Sequence, residues 1–163
     1  MMKTSLSRLR WLVLLGLPMA AGALADAPTL GGTAQARQVI AERKAIFTLT
    51  ESNFKPVVAI VKGQASFDAA QVQQRVERLV FLANLLDEPW TPASNRGKPD
   101  TNALPEVWTD SDDFKSLLNE YRKNLQALAT TVSTNPSDAA AFKKAAAAVA
   151  QNCKKCHDDF KAN

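Results

Sequence analysis

The sequence predicts an all-α protein, an antiparallel four-helix bundle, and three observations carry that expectation. Three stretches of the 163-residue chain place apolar residues at alternating steps of four and three, and a fourth repeats them every seven, the rhythms of a helix that buries one stripe. No stretch shows the two-residue alternation of a half-buried strand. One long connection rich in proline and glycine separates the second stretch from the third, and the other joints are short.

The first 25 residues stand apart from that bundle. Lys3, Arg8 and Arg10 form a basic start, residues 11–17 form a short apolar run closed by Pro18, and Ala23-Leu24-Ala25 precedes Asp26. This is the pattern of a secretory signal peptide, too short for a membrane span. Cleavage leaves residues 26–163, a length suited to one domain with its own core. It also leaves 17 Lys and Arg against 16 Asp and Glu, a near-neutral balance that argues against nucleic-acid binding. No later stretch is long and apolar enough to cross a bilayer.

Residues 26–34, with Pro28, Gly31 and Gly32, read as a loose terminus. The first helix is expected over 35–61, with Ile40, Phe47, Phe54 and Val61 recurring every seven residues. Arg43 and Thr50 share that stripe, Pro56 is expected to bend it, and Gly63 to end it. The second helix starts near Asp68, with Gln71 three residues on in a capping-box-like arrangement. Its seam is Val72, Val76, Leu79, Ala83 and Leu86. Pro89, Pro92, Gly97, Pro99 and Pro105 then mark the long connection, which runs to about Asp110.

Asp110 is the expected cap of the third helix, whose seam is Phe114, Leu118, Tyr121, Leu125, Leu128 and Val132. Asn135 and Pro136 restart the chain as cap and first helical residue. The fourth seam runs Phe142, Ala146, Val149, Cys153, Cys156, Phe160. The first two helices carry additional apolar residues: Val57, Val58 and Ile60, then Val80, Phe81 and Leu85. They make either a broad core face or a dimer interface.

The chemistry concentrates at Cys153-Lys154-Lys155-Cys156-His157. C-x-x-C-H is the attachment signature of c-type haem: two thiols can add to the haem vinyl groups and the imidazole can take an axial position on the iron. On a helix the three side chains can share one broad side. Alternatives are weaker. A structural zinc site needs four ligands, more than two cysteines and the chain's one histidine provide. A thioredoxin-like motif needs a preceding strand, and the residues before Cys153 are Ala-rich and helical in pattern. A plain disulfide is the remaining alternative. The cysteines lie on the core seam, which puts haem c, one per chain, inside the bundle.

All three methionines, Met1, Met2 and Met19, fall in the leader, and His157 is the only histidine. Once processed, the chain offers neither of the usual side chains for a second axial bond, so the iron is expected to be five-coordinate. With no distal histidine to move protons, a peroxidase-like activity lacks its acid–base group, and the protein is expected not to be an enzyme.

With the motif in residues 153–161 so near the C-terminus, the chain resembles the cytochrome c prime family, the class II c-type cytochromes. Glu42-Arg43-Lys44, Val61-Lys62-Gly63, Phe67-Asp68-Ala69-Ala70 and Leu104-Pro105-Glu106-Val107-Trp108 carry the same resemblance. It implies a periplasmic haem c protein, usually a homodimer, with high-spin five-coordinate iron under a hydrophobic distal side. It implies binding of NO and often CO, in NO tolerance or electron transfer with a periplasmic redox partner; a soluble electron carrier with no gas-binding role is the alternative. Carried over by residue, Cys153 and Cys156 hold the haem and His157 is the proximal ligand. Phe47 takes the distal apolar position, Arg43 faces a haem propionate, and Lys44 stands where glutamine is common near the haem. Lys161 stands where arginine is common beside the proximal imidazole. Trp90 and Trp108, flanking the long connection, are expected to pack at the bundle end.

Overall fold

The structure, a computed structural model, describes residues 32–162. The leader expected over 1–25 lies outside these residues, as do 26–31. Four long helices make the bundle: α1 (Gly32–Val61), α2 (Ala69–Asn84), α4 (Ser111–Thr134) and α5 (Ala139–Phe160). A single-turn helix, α3 (Glu106–Thr109), and two 3-10 turns (Leu85–Asp87 and Pro92–Ser94) punctuate the long connection. Long helices adjacent in sequence pack on one another, and among the neighbouring pairs of the bundle α1 meets α5 most lightly.

The seams of α2 and α4 are buried as expected, from Val72 to Leu86 and from Phe114 to Val132, with Leu117 joining the latter. Leu79, Leu125, Leu128 and Val57 are wholly enclosed. Removing side chains of this size from water contributes roughly 1.5–3 kcal/mol each before entropy is subtracted.

α1 departs from the expected stripe. Ala36, Ile40, Arg43, Ile46, Asn53 and Val57 are its buried residues, whereas Phe47 is exposed and Phe54 and Val61 are half-buried. The buried stripe shifts to Ile46, Asn53 and Val57, turning away from the Phe47, Phe54 and Val61 register. Val57, counted among residues for a broad face or an interface, belongs to the core. Gly32 to Ala34 are already helical, and Pro56 sits within a continuous helix. Gly63 terminates α1 at φ +72°. Its N–H donates to the Ile60 carbonyl at 3.0 Å and that of Gln64 to Ala59 at 2.8 Å, the paired bonds of a Schellman cap.

Asp68 caps α2 by accepting from the Gln71 N–H at 3.0 Å, and the Gln71 amide reaches back to the same carboxylate at 3.2 Å. The start of α5 is corrected. Its cap is Asp138, which accepts from the Ala141 N–H at 2.9 Å, while Asn135 closes α4. The residue before a proline avoids helical backbone, which ends α4 at Asn135; residues 136–137 then form a turn closed by the Asp138 N–H on the Asn135 carbonyl at 3.0 Å, and the Asp138 carboxylate is left to cap α5. Asp110 makes no side-chain cap bond; its N–H already ends α3 on the Glu106 carbonyl.

Candidate haem site

The last helix presents Cys153, Cys156 and His157 on three flanks of its inner face. At about 100° per residue, Cys156 falls to one side of Cys153 and His157 to the other. Both cysteines are half-buried and packed against the core, and the His157 side chain is exposed. The cysteines are not bonded to each other. Burial pushes both thiols upward, Cys156 to about 11. His157 is lowered by burial of part of its ring and then by Lys161, against an opposing pull from Asp158. A lowered value favours the neutral imidazole, the form that binds a metal.

The end of α5 is tied to the long connection. Ala103 and Lys161 form an antiparallel bridge, the Leu104 N–H donates to the Phe160 carbonyl at 3.0 Å, and the Ala162 N–H to Asn102 at 2.8 Å. Lys161 thus holds its place by its backbone. Lys154 pairs with Asp158 one turn along.

Arg43 is 2% exposed on α1. A cation on an apolar stripe needs partners, and four protein oxygens accept from it. Its guanidinium donates to the Pro89 carbonyl at 3.1 Å, the Ser94 hydroxyl at 2.7 Å, the Ser94 carbonyl at 3.0 Å and the Thr101 hydroxyl at 3.1 Å. It also lies 5.1 Å from the Trp90 ring centre and 5.6 Å from that of Trp108. Lys44 likewise turns to the loop, donating to the Asp100 carbonyl at 2.6 Å. Both cations therefore position the long connection.

Phe47 faces that connection too. Its ring lies 6.3 Å from Trp90, which packs at 4.7 Å on Phe114, which packs at 5.2 Å on Phe160. The aromatic row joins α1, the loop, α4 and α5 at one end of the bundle. The Trp90 indole donates to the Leu86 carbonyl at 2.6 Å, and Trp108 to the Trp90 carbonyl at 3.0 Å.

Two polar atoms near the cysteines have no hydrogen-bond partner: the Thr50 and Tyr121 hydroxyls. Tyr121 is pushed well up, chiefly by burial and then by the neighbouring Cys153. Thr50 is near enough to offset this slightly, although no bond of acceptable geometry joins the two. Leaving such a group unpaired costs about 1–3 kcal/mol. Among the described residues, no cluster of three His, Cys, Asp or Glu side chains could hold a bare ion. Two thiols with one imidazole suit a group that brings its own equatorial ligands, and unpaired hydroxyls beside them suit a pocket shaped around a further molecule. The residues fit haem c.

The sequence pattern brought Cys153, Cys156 and His157 together on α5. It missed Ser94 and Thr101, loop residues without periodicity whose hydroxyls define where Arg43 points. Tyr121 and Thr50 were legible as polar atoms on apolar stripes.

Comparison with known proteins places residues 38–161 within the cytochrome c prime family model. A cytochrome c prime from Rhodopseudomonas palustris is 38% identical over 124 residues, covering 76% of this chain and 82% of that protein. The structure of cytochrome c prime from Rubrivivax gelatinosus superposes with a TM-score of 0.72 at 30% identity, covering 78% of this chain and 97% of that one. A nitric oxide complex of a mutant cytochrome c prime from Alcaligenes xylosoxidans gives 0.71 at 30% identity, covering 78% and 96%.

Proposed function

This chain belongs to the cytochrome c prime family, a family that carries covalently bound haem c, and from that premise we propose that it binds nitric oxide in the periplasm. Cys153 and Cys156 are the thioether anchors and His157 is the sole protein ligand of the iron. The observation that carries the reading is the donor inventory: beyond residue 25 the chain holds no methionine and no histidine other than His157. Haem iron held by one protein ligand supplies an axial position for NO or CO. The solved neighbour with nitric oxide bound supports the same ligand here.

The chain's own residues set access. Phe47 and the rings behind it exclude water from the α1 side, and the Arg43 latch keeps the loop against them. Lys44 and Arg43 stay within reach of propionates only by leaving loop oxygens. Phe81 and Leu85 are exposed apolar residues of the α2 end, and with the outer face of α1 they form the surface of a homodimer. The reading assigns ligand binding and electron exchange with a redox partner, and no catalytic turnover.

The test is an absorption and electron paramagnetic resonance spectrum of the purified holoprotein, with and without NO and CO. A high-spin, five-coordinate signature that changes on adding either gas is expected. A six-coordinate low-spin spectrum, unmoved by both gases, would leave only the electron-carrier function. Shortening Phe47 to alanine should speed CO association at least severalfold in flash photolysis.

A further inference from the structure

The Thr50 and Tyr121 hydroxyls are buried, unpaired and in one layer of the bundle. Tyr121 is 7% exposed. Long side chains on a helix lean toward its N-terminus, which sends the phenol from Tyr121 back toward the level of Leu117. There the Asn152 amide of α5, the neighbour of Cys153, donates to the Leu117 carbonyl at 3.4 Å. Phe47 of α1 packs at the Trp90–Phe114 level, so Thr50, nearly one turn further along, falls at the Leu117 level as well. Three helices thus bring two hydroxyls and an anchor cysteine into one layer of a bundle in which α1 and α5 pack only lightly on each other.

We propose that Thr50 and Tyr121 form a hydrogen-bonding site for the outer atom of the small ligand taken up at this haem, a polar element within an otherwise apolar pocket. This rests on the reading of the site as an open gas-binding haem. Both hydroxyls can donate, and ligands that build negative charge on the outer atom gain most. Their lack of partners in the chain is what makes them available: a hydroxyl already satisfied by a carbonyl would have to break that bond first. Propionates are the less suitable acceptor, because a cysteine anchor marks the vinyl edge of the ring and the propionates leave from the opposite edge.

The experiment uses the holoprotein, Tyr121→Phe and Thr50→Val, all with CO bound to the ferrous form. The C–O stretch is read by infrared spectroscopy in water and in heavy water, and CO dissociation by ligand replacement. Each variant is expected to move the stretch and lose its isotope sensitivity, and to release CO about two- to tenfold faster. The thermal midpoint of the ligand-free variants should stay within a few degrees of the parent, since nothing in the chain loses a partner. An unchanged stretch and rate in both variants would overturn the proposal while leaving the gas-binding reading intact. If the parent takes up neither CO nor NO, that reading fails and this one with it.

Discussion

Arg43 is a buried cation whose partners are carbonyls, hydroxyls and two indole faces, none of them a carboxylate. Burial draws its ionisation downward, yet a guanidinium stays charged at any ordinary pH, so the charge must be solvated by protein dipoles. The planar fork is what allows one side chain to reach Pro89, Ser94 and Thr101 together. Arg43→Lys keeps the charge and loses the fork. It should lower the unfolding free energy of the holoprotein in urea by about 1–3 kcal/mol and open residues 85–105 to limited proteolysis. A variant with unchanged stability and an intact loop would show that the latch carries no load. The need for a partner was legible from a cation on an apolar stripe. Ser94 and Thr101 were not legible as acceptors, because they sit in aperiodic chain whose path only the folded molecule reveals.

At the level of helices, the stop and start signals are chemical and separable. Gly63 holds a left-handed conformation, so Gly63→Ala should cost about 1 kcal/mol by adding a Cβ to a backbone that disfavours one. Asp138→Ala should cost about 1 kcal/mol by leaving the Ala141 N–H without its acceptor, whereas Asn135→Ala should cost far less, Asn135 having no capping bond to α5. Urea titrations of the three variants rank them. The contrast between helices explains what could be read in advance. α2 and α4 bury the seams that spacing gives, with Leu82 and Leu117 added beside them. In α1, Ile46 and Phe47 are adjacent and equally apolar, and the choice between them depends on Trp90, far along the chain. The one-turn α3 has too few residues to show any period.

Across the whole molecule, stability rests on the layer shared by α2, α4 and α5. Leu125 is fully enclosed at its centre, and Leu125→Ala should cost about 2–5 kcal/mol in reversible unfolding. The loose meeting of α1 with α5 has the opposite character, since few side chains bridge it without help. Blocking covalent attachment with Cys153→Ala and Cys156→Ala together should therefore lower the thermal midpoint by more than Leu125→Ala does, followed by circular dichroism at the helical band. An unattached chain that melts at the parent temperature would show that the four helices close without their prosthetic group. That the molecule is a bundle was readable from the seams; that α1 is its weakest wall was not, because spacing reports faces and says nothing of gaps between them.

The row of rings from Phe47 through Trp90 and Phe114 to Phe160 also gives the protein a lamp beside its own pigment. Trp90 and Trp108, 6.3 Å apart, are the two indoles of the described bundle, and both lie at the end of it where α5 carries Cys153 and Cys156. Porphyrin absorbs where indole emits, so a loaded molecule should be dark under ultraviolet excitation and an unloaded one bright. Indole emission from the purified protein, compared before and after unfolding, would then read out what fraction of the chains had received their cargo.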